Sequence, residues 1–391
     1  MIDFTLSLTQ SELLVKISTL NSQFFSSASS IYSKNRCPLS NFRAMRPFYH
    51  QLLQAGIVKI LIPARFGGTG GSLIDTAIMV EAMVKVDRSL SLTIFATAGG
   101  LSPLLYAGSD AQRKKFLSPF LKEGGEAGEP LAALVWSEPS GTANYAERGG
   151  KGLQTVARIH GDEWVINGEK VFSTTRLLYQ IAKWEKMWAT NCSGWDDRGA
   201  DLQCVVCRYS PSDTLVDPES DPAAYVMIVA ITREDIAANK DDAYQVVKHI
   251  ETPGFSSTAG PHIRFNNFHV PAFNVLAPPG EGVAIITRSM ISSAALVGAI
   301  AVGIMSATFE AALKFAKNDS RGGTMGLLER QSVSDRLMDV KMRTDAARFL
   351  TWKACHALDK GLGPELAFEA KIYCSDLAAK CVPDVMGAVG V

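Results

Sequence analysis

Two cysteines spaced Cys204-Val205-Val206-Cys207 could hold zinc or cycle as a disulfide, since paired thiolates at that spacing do both. They fall in a strand-like run, 202–209, where residues three apart face opposite ways, and no second pair completes a zinc site. Structural cysteines are expected, and no metal site. The run Phe66-Gly67-Gly68-Thr69-Gly70-Gly71 could offer backbone N–H groups to a phosphate. Leu73 stands where a dinucleotide fingerprint needs its third glycine, and no βαβ unit surrounds it; a glycine turn between helices is expected. Arg321, ten residues before Gln331, carries a planar fork suited to phosphate, although an isolated arginine serves equally well as a solvated loop residue. Asp376 and Asp384 are carboxylates on a helical stretch. His269 lies in a strand and is expected to be structural.

These residues need a frame. The chain has 391 residues, long for one core, with 47 % apolar and 20 % charged residues, which suits a folded protein of two or three packed domains. Lys+Arg and Asp+Glu are balanced at 39 each, so no net field recruits nucleic acid or an anionic membrane. Seven cysteines, an odd number, suit a reducing compartment. The start, Met1-Ile2-Asp3-Phe4-Thr5, has neither a basic nor an apolar leader region. A cytoplasmic location is expected. The uncharged stretch between Arg288 and Glu310 is long enough to cross a bilayer, but it is rich in Ser, Ala and Gly and reads better as the buried central helix of a bundle.

Helical periodicity fills the first third. Thr9-Gln10-Ser11-Glu12 fits a capping box, and helix patterns follow over about 40–56, 73–89, 92–106 and 109–122. The period then changes to that of strands at 131–137, 153–160, 164–167, 203–209, 224–231, 245–250 and 262–269, with His160-Gly161-Asp162-Glu163 as a hairpin turn. From about 283 the chain is helical again. The expected architecture is α+β: an N-terminal helical domain over 1–128, a middle β-barrel or sandwich domain over 129–278, and a C-terminal helical bundle over 279–391.

Five stretches in this order resemble the acyl-CoA dehydrogenase superfamily of FAD enzymes. Ile62-Pro63-Ala64-Arg65-Phe66-Gly67-Gly68 is similar to its P-x-x-Y-G-G turn. Ser137-Glu138-Pro139-Ser140-Gly141-Thr142-Ala143-Asn144 resembles its T-E-P-x-x-G-S-D signature. Gly168-Glu169-Lys170 and Met187-Trp188-Ala189-Thr190-Asn191 together resemble G-x-K-x-W-I-T-N. Phe265-Asn266-Asn267-Phe268-His269-Val270-Pro271 resembles the strand that closes the β domain, and Arg321 with Gln331 is the fifth match. The resemblance implies that Trp136, Ser137, Trp188 and Thr190 contact the flavin, Trp188 shielding one face and Thr190 bonding near N5. It implies that Arg321 and Gln331 reach FAD in a neighbouring subunit of a homotetramer.

Within the superfamily the chain is similar to the nitroalkane oxidases, through Met45-Arg46-Pro47-Phe48-Tyr49, Gly199-Ala200-Asp201-Leu202, Cys204-Val205-Val206-Cys207-Arg208, Gly260-Pro261-His262 and Ser293-Ala294-Ala295-Leu296-Val297-Gly298. The Thr142-Ala143-Asn144 departure removes a serine that usually meets CoA. Ser293 stands where some acyl-CoA dehydrogenases hold their glutamate base, and Ala294 where many carry arginine. The branch implies that a carboxylate takes the α proton of a nitroalkane, that flavin N5 chemistry follows, and that aldehyde or ketone, nitrite and peroxide leave, with O2 as electron acceptor. Ser293 would support that base. The alternative is an acyl-CoA dehydrogenase or oxidase acting on a CoA thioester.

Two departures carry their own expectations. The family continues past the turn at Ala388-Val389-Gly390 into the helix bearing the base, so the base is expected beyond Val391 and residues 1–391 are expected to turn over poorly; a catalytically dead flavin-binding homologue is a further alternative. The family also has no gap inside G-x-K-x-W-I-T-N, whereas residues 171–186 here add 186 − 171 + 1 = 16 positions. Valine codons begin GT and a lysine codon can end in AG, so an unspliced in-frame intron is expected; a surface loop and a partial duplication are the other readings.

Overall fold

The computed structural model describes residues 5–32, 34–35, 37–122, 128–171, 191–211, 221–250, 254–255 and 257–390. Trp188, Thr190 and all of 171–186 except Val171 lie outside the described residues. The helices in chain order are α1 (Leu8–Leu20), α2 (Ala28–Tyr32), α3 (Pro38–Ala44), α4 (Arg46–Gln54), α5 (Leu73–Val86), α6 (Arg88–Ala107), α7 (Asp110–Leu121), α8 (Arg233–Ala238), α9 (Gly282–Asn318), α10 (Gln331–Asp359) and α11 (Pro364–Val389). The strands are β1 (Ala132–Val135), β2 (Val156–His160), β3 (Glu163–Lys170), β4 (Leu202–Tyr209), β5 (Val226–Thr232), β6 (Tyr244–His249), β7 (Pro261–Pro271) and β8 (Val275–Ala277). Two compact units result. One is Met1–Ser26, Gly71–Ser91 and Met290–Val391; the other is Ser27–Gly70 and Leu92–Ser289.

The first unit is helical. Its core is built by Val302, Met305, Leu337, Val340, Cys381 and Val385, all buried, from α9, α10 and α11. The small residues of α9 have a steric purpose. A Cβ on Gly303 would lie 2.8 Å from the Glu81 carbonyl of α5, and one on Gly298 would lie 2.7 Å from the Thr351 hydroxyl of α10. Helices approach this closely only where side chains are absent. Arg348 of α10 ties the contact with bonds to Glu81 at 2.9 Å and to the Ser306 hydroxyl at 3.0 Å. Both α6 and α9 have the length and apolarity to cross a membrane, and 67 % and 72 % of their most apolar windows are buried, as in core helices. Helix α1 is capped by Ser7, whose hydroxyl accepts from Gln10 N–H while the Gln10 side chain accepts from Ser7 N–H. The box therefore starts two residues before the Thr9 expected from sequence.

The second unit is built on an eight-stranded sheet of order β6-β7-β3-β2-β4-β5-β8, with β1 pairing parallel to β4. The hairpin expected at 160–163 joins β2 to β3, and Gly161 supplies the left-handed residue (φ 62°). The strand runs read from sequence are present, while β8 and α8 were not anticipated. Cys204 and Cys207 are fully buried in β4, and burial pushes each thiol up to about 12. Among the described residues no cluster could hold a metal ion.

Candidate active site

The stretch that carries Trp136 and Ser137 is fixed at both ends. Before β1, the Leu131 N–H donates to the Asp201 carboxylate at 2.9 Å; burial raises the Asp201 pKa, and this bond opposes the rise. Ala132, Ala133, Leu134 and Val135 are all buried, paired in register with Leu202, Gln203, Cys204 and Val205. Helix α6 lies directly on them at Gly100, where an added Cβ would meet Ala132 and Ala133 backbone atoms below 3 Å.

After β1, a buried ion pair takes over. Lys170 Nζ donates to the Trp136 carbonyl and to Glu138 Oε1, both at 2.9 Å. Glu138 Oε1 also accepts from Thr155 N–H at 2.9 Å and Oε2 from Gln154 N–H at 2.7 Å. The two side chains are 0 % and 1 % exposed. Burial would push the Glu138 carboxyl up, but the Lys170 charge and these donors outweigh it and hold it below the usual carboxylate range. The β3–β7 register shifts between Ile166 and Gly168, just before Lys170. Gly168 (φ 142°) has no room for a side chain, since its Cβ would lie 2.5 Å from Thr155 Cα.

Ser137 sits between the two ends of this clamp. Its carbonyl accepts from Val171 N–H at 2.9 Å. Its hydroxyl, in a residue only 3 % exposed, makes no hydrogen bond to any described residue. The hydroxyl is therefore available as a donor, and the carbonyls of a flavin pyrimidine ring are acceptors of the kind it suits. Next to it, Trp136 packs edge-on against Tyr145 at 5.4 Å between centroids. Burial raises the Tyr145 pKa, opposed by a hydrogen bond with Thr287. The turn between them is closed by Gly141 (φ 93°), whose N–H donates to the Glu138 carbonyl at 3.0 Å. Thr142 is half-buried, and Ala143 and Asn144 are exposed.

Trp188 and Thr190 precede Asn191, and Asn191 is firmly placed. It is fully buried in the left-handed region (φ 74°), its N–H donates to the Ala259 carbonyl at 2.7 Å, and its side-chain amide donates to the Thr93 carbonyl at 3.0 Å and the Thr97 hydroxyl at 3.2 Å. The same amide lies 3.4 Å from the Ala132 carbonyl.

Ser293, Arg321 and Gln331 belong to the helical unit. The buried Ser293 hydroxyl donates to the Met290 carbonyl one turn back at 2.9 Å. Arg321 (φ 54°) is half-exposed, held by Asp319 at 3.3 Å, by the Val389 carbonyl, and over the Phe315 ring at 5.2 Å. Gln331 is exposed at the first position of α10. Sequence reasoning quoted Glu138, Lys170 and Asn191 inside motifs without giving them a role.

An acyl-CoA dehydrogenase N-terminal domain model matches residues 31–124 and an acyl-CoA dehydrogenase C-terminal domain model matches 280–391. The nitroalkane oxidase of Podospora anserina is 48 % identical over 355 residues, spanning 90 % of this chain and 77 % of the relative. That of Fusarium oxysporum is 44 % identical over 398 aligned positions, spanning 100 % and 86 %. A solved active-site serine-to-alanine mutant of nitroalkane oxidase, crystallised with 1-nitrohexane, matches with a TM-score of 0.92 at 43 % identity, over 100 % of this chain and 88 % of that one.

Proposed function

We propose that this chain, which belongs to the acyl-CoA dehydrogenase family and to its nitroalkane oxidase branch, oxidises nitroalkanes to aldehydes or ketones. It is an FAD-dependent oxidoreductase. For a primary nitroalkane the balanced reaction is RCH2NO2 + O2 + H2O → RCHO + HNO2 + H2O2. The observation that carries the reading is the 48 % identity to a nitroalkane oxidase over 90 % of this chain, with a Ser137 hydroxyl that bonds to no described residue.

FAD, when bound, accepts the electron pair from substrate. The Ser137 hydroxyl would donate to its pyrimidine ring, and Trp136 with Tyr145 would supply an apolar wall beside it. Trp188 and Thr190 are assigned to the ring face and to N5, and Arg321 and Gln331 to the FAD of a neighbouring subunit. Removal of the α proton requires a carboxylate, worth about 10²–10⁴ in rate. Asp376 and Asp384 on α11 are both exposed, and Asp384 is paired with Arg343 at 2.9 Å, so neither is assigned that role. Ser293 is assigned as the hydroxyl that orients the base. Separate exposed apolar residues, Met338 and Met342 on α10 and Phe368 and Ile372 on α11, support an assembly of identical subunits.

The test is a substrate comparison. With FAD supplied, the nitronate anion of nitroethane, which has already lost its α proton and needs no base, is expected to yield nitrite with O2 uptake, and acyl-CoA thioesters are expected to leave the flavin oxidised. Flavin bleaching by a thioester and not by the nitronate would overturn the assignment.

A further inference from the structure

The Glu138–Lys170 pair is built more carefully than packing alone requires. Two opposite charges with 0 % and 1 % side-chain exposure lie in an apolar sheet, where hydrophobic residues of the same volume would stabilise the fold at least as well. What an ion pair adds is direction. The two bonds of the ammonium land on either side of Ser137, one on the carbonyl of Trp136 and one on the carboxylate of Glu138. Val171, the residue after Lys170, takes the Ser137 carbonyl itself. Glu138 is in turn held by Gln154 and Thr155 at the entry to β2, so its carboxylate has little freedom to turn. These anchors flank Ser137, whose hydroxyl bonds to no described residue.

Resting on the reading that FAD binds at Ser137, we propose that Glu138 and Lys170 are positioning residues for the cofactor: the pair sets the location of the Ser137 hydroxyl against the flavin ring. They touch no reacting atom. Their effect on FAD passes through Ser137, which separates this role from general support of the sheet.

The experiment is a double-mutant cycle read by FAD titration of the full 391-residue apoprotein, following flavin fluorescence and visible-region circular dichroism, with thermal melting of each apoprotein measured in parallel. Ser137→Ala is expected to weaken FAD binding by roughly tenfold, the loss of one hydrogen bond. Glu138→Gln is expected to weaken it by tenfold or more and to change the visible dichroism in the same sense. In the Ser137→Ala background, Glu138→Gln is expected to cost less than about threefold, because the hydroxyl it positions is gone. Equal losses in both backgrounds would overturn the proposal, as would unchanged FAD affinity in a Glu138→Gln protein whose apoprotein melts lower. Should Glu138→Gln fail to fold, Glu138→Gln/Lys170→Met, which leaves no unpaired buried charge, is compared with and without Ser137→Ala under the same criteria. If the unsubstituted chain binds no FAD in this titration, the assignment of the cofactor to Ser137 fails first and the proposal with it; binding by the unsubstituted chain with additive losses rejects the proposal alone.

Discussion

A Cβ placed on Gly100 of α6 would lie 2.3 Å from the backbone nitrogen of Ala133 in β1. The helix therefore rests on the strand main chain, and the strand leads directly to Trp136, Ser137 and Glu138. Gly100→Ala must push α6 and β1 apart. We expect it to destabilise the protein by about 1–3 kcal/mol, the usual cost of overpacking, despite the better helix propensity of alanine. Urea unfolding measures this. FAD affinity should fall in parallel, because the displaced strand leads into Ser137, the proposed flavin contact. A variant as stable as the parent would mean that the contact is looser than described.

The buried pair gives stability a defined pH dependence. Burial opposes ionisation of Glu138, but Lys170 and the N–H donors prevail, so its folded pKa lies below that of the unfolded chain. A depressed carboxyl contributes stability that is complete above the unfolded value, about 4.3, and is lost as pH falls through the folded value. Urea midpoints of the parent should therefore drop on acidification below about 4.3, and this component of the drop should be missing in Glu138→Gln. At neutral pH the variant should be less stable by about 3–5 kcal/mol, the cost of leaving one buried charge without its partner. A Glu138→Gln profile parallel to that of the parent through the acid range would show that Glu138 does not carry the linkage.

Thiol reactivity separates a structural from a redox reading of the cysteines. Cys192, Cys204, Cys207, Cys355, Cys374 and Cys381 are buried, and Cys37 is exposed. Burial pushes Cys204 and Cys207 up to about 12 and Cys374 up to about 11. The thiolate is the reactive form, so a disulfide reagent at pH 8 should label one thiol per chain in the native state. All seven should react in guanidinium. Native labelling at Cys204 or Cys207, located by peptide mapping, would restore the redox alternative.

What sequence made legible was local. The 160–163 hairpin was readable because Gly161 and the alternation of β2 and β3 act within a few residues. The cap of α1 was misplaced by two positions because Ser7 with Gln10 and Thr9 with Glu12 satisfy the same pattern. A tertiary bond from Gln10 to Asp75, at 2.8 Å and 65 residues away, accompanies the pairing that forms. Strand β8, three residues long, gains its identity only from pairing with β5. The site behaves likewise. Ser137 stood out through its motif, whereas Glu138 meets Lys170 across 32 residues and Asn191 meets Thr93 across 98, distances at which spacing carries no signal.

The last prediction concerns residues 171–186, and it follows from two anchors. In the β3–β7 ladder Lys170 stands opposite Ile263, and Asn191 N–H donates to the Ala259 carbonyl at 2.7 Å. Along that partner segment Ala259, just before β7, and Ile263 within it are four residues apart. Between Lys170 and Asn191 the chain has 190 − 171 + 1 = 20 residues. Deleting 171–186 leaves Met187, Trp188, Ala189 and Thr190, so five steps of chain face four of the partner, a surplus of one residue that a β-bulge absorbs. Met187 would then follow Lys170 and could offer its N–H to the Ser137 carbonyl in place of Val171. The shortened protein is expected to fold and to bind FAD at least as tightly as the parent, with Trp188 and Thr190 brought within a few residues of the Glu138–Lys170 clamp. The comparison is one FAD titration of each protein. A tenfold loss of affinity on deletion would make 171–186 an integral part of the site, and the matching register of the two anchors a coincidence.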